Sequence, residues 1–264
     1  MKRFVVVLVL TLVVFSGCSN GMYIPAATMQ VTEPEITEPA ATQEITEPVT
    51  QPPETEPEHS PLYLPDISVE EVIEYFREVV LSAEFVNGGD PSKVQKWDIE
   101  ILYMIHGEMT AKDREVLDSF TRWLNEIEGF PGIRETTVDA EANLHIHFCS
   151  ADRFATILGE DYRGLDGGVT FWYDYDRIYQ GTICVRNDME QELRNSVLQE
   201  EIYNGLGPVQ DTDLRTDSLI FSGFSMPQSM TDVDELIMKL LYHPQIQCGM
   251  DAQQCEAVIR KLYY

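Results

Sequence analysis

The sequence predicts an α+β domain in which helices pack as layers on a mixed β-sheet. Beyond residue 67 the periodic patterns run helix, strand, helix, strands, helix, loop, helix, an order that builds stacked layers. No Pro- or Gly-rich break divides residues 67–264, so they read as one domain, long enough to bury a substantial core. The stretch from Trp97 to His106 is apolar on both faces in its second half, as a strand covered on both sides must be.

Each element has its own signal. Ser68 and Glu71 have capping-box spacing, and Val69, Val72, Ile73, Phe76, Val79 and Val80 line one face of the helix they open, which is expected to lie across the sheet. The loop Asn87-Gly88-Gly89-Asp90-Pro91 separates it from a strand over Trp97–His106. A second helix is expected from Thr110 to Glu128, with Leu117, Phe120, Leu124 and Ile127 inward and Gly129-Phe130-Pro131-Gly132 stopping it. Leu144–Phe148 reads as a strand, Ser150–Gly159 as a short helix, and Val169–Tyr173 and Thr182–Val185 as two more strands. Asn187 or Asp188 opens the next helix. Ser218-Leu219-Ile220-Phe221 is an apolar loop, Thr231 and Asp234 cap a helix through Leu241, and a last helix spans Asp251 to Leu262.

The start of the chain carries an address. Lys2 and Arg3 precede an apolar run from Phe4 to Phe15 and then Ser16-Gly17-Cys18, which reads as a signal peptide over residues 1–17 because the run is too short to span a bilayer core. Small residues before Cys18 resemble a bacterial lipobox, although Phe15 is uncommon there; the resemblance implies cleavage and lipidation of Cys18. The other reading is an ordinary secretory peptide. Either route exports the protein, and lipidation would leave it on the extracytoplasmic face of the membrane. From Cys18 to Asp66 the chain is rich in Thr, Glu and Pro, with Thr-Glu-Pro recurring at Thr32, Thr37, Thr46 and Thr55. Such a segment cannot bury a core, so residues 18–66 are expected to form a disordered stalk.

Composition narrows the partners. Asp and Glu number 45 against 18 Lys and Arg, a net charge of −27, which excludes nucleic acid as an expected partner because phosphate binding needs clustered positive charge. Beyond Cys18 lie Cys149, Cys184, Cys248 and Cys255. In an exported chain these are disulfide candidates, expected to pair 149 with 184 and 248 with 255, or to stay reduced in an anaerobic setting.

The stretch from Glu200 to Gln210 carries the chemical signal. A zinc peptidase of the H-E-x-x-H-x-x-G-x-x-H type places two imidazoles one helical turn apart and a third beyond a Gly turn. Here the general-base position is Glu201 and the turn is Gly207, while the ligand positions read Glu200, Asn204 and Gln210. Continuing the stripe of Leu193 and Val197 brings Glu200, Glu201 and Asn204 inward. A stripe of Leu198, Ile202 and Leu206 would instead put the carboxylates at its edge, partly in solvent.

Leu198–Asp211, Ser218–Phe221, Asp232–Leu236 and Leu240–Pro244, with Phe130-Pro131-Gly132 and Ala142-Asn143-Leu144, resemble a family of bacterial lipoproteins carrying a domain of unknown function (family 2927). That domain in turn resembles a degenerate metzincin, so the resemblance implies a zincin-like mixed sheet with an active-site-type helix and a Gly turn. It also implies Glu201 as remnant general base and Ser218–Phe221 as the loop below the metal, with Ile220 where a Met normally lies. Glu200, Asn204 and Gln210 stand at the former ligand positions, and no metal or cofactor is expected. His145 and His147 alternate on one strand and read as a solvent-facing pair on an edge strand, or as ligands joined by Glu200. Asp211, Asp213 and Asp217 suggest a calcium loop, but Arg215 at the third ligand position makes it a polar turn. The expectation is a membrane-anchored, non-catalytic domain that binds an extracellular peptide, protein or glycan; the alternative is a hydrolase with a non-standard metal site.

Overall fold

The computed structural model describes residues 60–82 and 92–264. The signal segment, Cys18, stalk residues 18–59 and the loop at 87–91 lie outside the described residues. Among the described residues no helix is long and apolar enough to cross a membrane.

Among the described residues the architecture is α+β, a mostly parallel mixed sheet with six α-helices. The helices are α1 (Val69–Val80), α2 (Ala111–Leu124), α3 (Ala151–Ile157), α4 (Gln191–Asn204), α5 (Asp232–Tyr242) and α6 (Ala252–Tyr263). The strands are β1 (Lys96–Trp97), β2 (Ile101–Gly107), β3 (Ile133–Glu135), β4 (Leu144–Cys149), β5 (Gly167–Asp174) and β6 (Arg177–Arg186). Their order is β1-β6-β4-β2-β3, all parallel, with β5 antiparallel along β6.

Local chemistry explains most boundaries. Ser68, Thr110, Thr231 and Asp251 each accept the backbone N–H three residues on, and the residue there returns a side-chain oxygen to the cap backbone, closing four capping boxes. The α2 helix ends at Asn125, whose amide bonds both backbone groups of Ile133, so the chain turns into β3 instead of continuing to Glu128.

Three expectations change. The strand over Trp97–His106 is broken at Asp98–Glu100: β1 pairs with the start of β6, while β2 steps aside to pair with β4 and β3. Insertion of β4 between β6 and β2 forces that step. Asn143 fixes it, accepting from Leu102 N at 2.7 Å and donating to Glu100 O at 2.9 Å. Helix α1 packs against α6 and α5 rather than across the sheet. The packed domain also starts before residue 67: Leu62, Tyr63, Leu64 and Ile67 rest on the core, and Tyr263 Oη donates to Leu64 O and Ile67 O.

One face of the sheet, carrying Ile101, Ile146, Ile183 and Val185, meets the main helical layer. The other carries Cys184 under Phe154 and Tyr162, a smaller cluster closed by α3. Each large aliphatic side chain buried in these layers contributes about 1.5–3 kcal/mol.

Candidate functional site

Helix α4 is polar in composition and buried along most of its length. Every residue from Arg194 to Asn204 is buried, so both stripes face protein. The β5 and β6 strands lie below it and α2 beside it. The loop after the Gly turn approaches from above, where Asn195 Nδ2 donates to Gln228 Oε1 and Gln228 Nε2 donates to Glu192 O. A helix of this composition stays buried only if its polar groups find partners.

At its first turn they do. Arg194 Nε donates to Asp113 Oδ1 at 2.9 Å, a buried ion pair between α4 and the first turn of α2. Gln191 Nε2 donates to the same oxygen, and Arg194 also reaches Asn187 O and Gln191 Oε1. The far end is held through Tyr203, whose hydroxyl donates to Asp234 O at 2.9 Å.

In the second half Gln199 donates to Asn195 O, and the exceptions are Glu201 and Asn204. Glu200 is 7% exposed, Glu201 1% and Asn204 0%. Glu201 Oε2 and both amide atoms of Asn204 have no hydrogen-bond partner. Burial raises the Glu200 carboxyl well above the usual range, and the Glu201, Asp211 and Asp166 carboxyls add to it; burial and Asp211 do the same to Glu201. Both groups are therefore held toward the neutral acid. The alternative placing of these carboxylates at a solvated edge is overturned. Gly167 at the start of β5 explains the close fit, since a Cβ there would overlap Glu201 Oε1 and Val197.

Only part of the predicted set converges. Glu200 lines a narrow cleft of about 30 Å³ with Asp166, Ser196, Val197 and the segment from Phe221 to Ser225. Glu201 and Asn204 lie buried on the same helix, outside that lining. Gln210, beyond the turn at Gly207, donates to the Asp211 carbonyl at 3.1 Å. Among the described residues no three His, Cys, Asp or Glu side chains stand around a common metal position.

The loop at Ser218–Phe221 has a carboxylate latch that the sequence reading did not identify. Asp234 is wholly buried; Oδ1 accepts from Ser218 Oγ at 2.7 Å and Tyr75 Oη at 3.2 Å, and Oδ2 accepts from Leu219 N at 3.0 Å and from Thr231. Ile220 is buried beneath. In the expected polar turn, Arg215 pairs with Asp217 at 2.9 Å.

Cys149, Cys184, Cys248 and Cys255 stand as free cysteines in this structure, the reduced alternative, with Cys149 and Cys184 in thiol contact on adjacent strands. The placing of the histidines is corrected. His145 and His147 lie not on an edge but on β4, between β6 and β2. They are half-buried on the sheet face opposite the one that carries Ile146 and Ile183, and His106 of β2 joins them there. Strand register brings His106 in, and register is not written in any local spacing.

No curated protein and no solved structure matches the chain. The family described as Protein of unknown function (DUF2927) matches residues 69–261, from the first turn of α1 into the last turn of α6, and the chain belongs to that family.

Proposed function

We propose that this protein is an exported lipoprotein, anchored through Cys18, whose metzincin-like domain binds an extracellular peptide without cleaving it. A mostly parallel sheet with an antiparallel strand beside the buried helix, and a Gly turn closing that helix, support the zincin-like reading. The observation that carries the non-catalytic reading is Glu201. It occupies the general-base position, yet its carboxyl is shut in and held toward the uncharged form.

Zinc does not fit the positions the resemblance assigns to it. A zinc hydrolase uses neutral imidazoles and leaves one position open for water. Asn204 and Gln210 offer amide oxygens, and Asn204 has no exposed surface through which a substrate could approach. No step is derived through a metal there.

Binding is assigned to the cleft beside Glu200. With an accessible volume of about 30 Å³ the cleft takes a small group, such as a small side chain of an extended peptide lying across it. Phe224, 62% exposed on the cleft wall, supplies apolar contact. The test is a peptide array and a glycan array probed with wild type and Phe224→Ala, beside a peptide-library cleavage assay with and without chelator. Peptide binding weakened about tenfold by Phe224→Ala, with no cleavage, is the expected result. Chelator-sensitive cleavage abolished by Glu201→Gln would overturn it. Metabolic labelling with a palmitate analogue, lost in Cys18→Ser, checks the anchor.

A further inference from the structure

We propose that His106, His145 and His147 form a transition-metal site on the sheet face opposite α4, taking zinc(II) or another ion that favours imidazole nitrogen. The three rings come from two adjacent parallel strands, with His106 directly opposite His147 and His145 two residues before His147 on the same face. His106 Nε2 and His145 Nδ1 are 2.9 Å apart. The ring of His147 stacks on that of His106 with centroids 4.3 Å apart, and the His145 and His147 centroids are 6.4 Å apart.

This spacing is close to that of a ligand set. Two imidazole nitrogens on one tetrahedral zinc, each at about 2.0–2.1 Å, lie about 3.3 Å from each other, so the His106–His145 pair must open by a few tenths of an ångström and each ring must turn by roughly 35° to aim its lone pair at the ion. At present those nitrogens share one proton, one ring donating and the other accepting. The ion needs both nitrogens unprotonated: the donor ring passes to its other tautomer, its proton moving through solvent to its far nitrogen, and both facing nitrogens then direct lone pairs to the ion. Rotation of the half-buried His147 ring out of its stack supplies the third nitrogen, because a terminal imidazole torsion is broad. Among the described residues no finished metal position exists, and these ring rotations are what the ion must induce.

The electrostatic setting agrees. Burial lowers His147 to about 4, with His106, His145 and Arg153 adding to the effect, and burial then His106 lower His145. Both rings are therefore neutral near pH 7, the form that binds a metal. The nearest soft group on the same face of β4 is Cys149, in thiol contact with Cys184.

The experiment uses the purified full-length protein, stripped with chelator and titrated with zinc chloride at pH 7.5. Calorimetry is expected to show equimolar uptake, and His147→Gln to weaken it by about 10–100-fold or more. Because that variant could fold poorly, imidazole nitrogen resonances of the wild type provide a second reading. Zinc should move the signals of His106, His145 and His147 and leave His243 in place. No uptake, uptake indifferent to His147→Gln in a folded variant, or shifts confined to His243 would each overturn the site.

Discussion

Glu200 and Glu201 retain protons that the unfolded chain gives up, because burial lifts both carboxyls well above their ordinary value of 4.5. Between 4.5 and those raised values the native state binds more protons than the unfolded state, so this contribution to stability is full below pH 4.5 and declines as pH rises. Glu201→Gln, which keeps the shape and removes the charge, should raise the melting midpoint at pH 8 and change it little at pH 4.5. For a domain of this size about 1 kcal/mol appears as 2–4 °C in a thermal melt. His147 acts with the opposite sign. Its pKa falls from 6.5 to about 4 on folding, so its contribution is present above 6.5 and is lost as pH falls through about 4. Replacing it with Gln should flatten the acid limb of stability between those values, as followed by circular dichroism. The inward turn of Glu200 and Glu201 could be read from the stripe of Leu193 and Val197. Their complete enclosure could not, because it depends on Gly167 and on a loop distant in sequence.

Between elements, the contacts that matter most are those reaching across sequence. The Asp113–Arg194 pair joins the first turns of α2 and α4 inside the protein. Removing one partner of such a pair leaves a buried charge unmatched, so Asp113→Ala should cost about 3–5 kcal/mol, measurable by urea denaturation. Gly207, in the turn after α4, has φ +132°, and a Cβ there would sit 2.6 Å from Gln95 O. Gly207→Ala should therefore destabilise the domain by at least about 1–3 kcal/mol in the same assay. Three helix starts were legible, since Ser68, Thr110 and Thr231 each have an acidic residue three positions on that completes the cap; the start of α4 was not, for it begins at Gln191 after Glu190, which makes no side-chain cap, and not at Asn187 or Asp188. The break between β1 and β2 was not legible. Asp98–Glu100 carry no turn signal, and the break exists because β4, far along the chain, takes the place beside β6. Likewise β3 spans only Ile133–Glu135, too short for alternation to register.

At the scale of the molecule, the layered α+β class followed from element order, whereas the domain start did not. Residues 60–67 look like the end of a Pro-rich run, yet Leu62, Leu64 and Ile67 pack on the core and Ser60 Oγ donates to Leu262 O. A fragment beginning at Ser68 should thus melt several degrees below one beginning at Ser60, and scanning calorimetry on the two would show it. The same contacts decide where mechanical load enters. Tyr263 grips Leu64 and Ile67 by their carbonyls, so a pull on the chain ahead of Ser60 meets a clasp on the C-terminal helix before it reaches α1. Force entering from the N-terminal side would be borne at that clasp, where α1 and α6 pack side by side. The sheet and the Glu200 cleft lie beyond it along the chain, so load from that side reaches them only once the clasp gives.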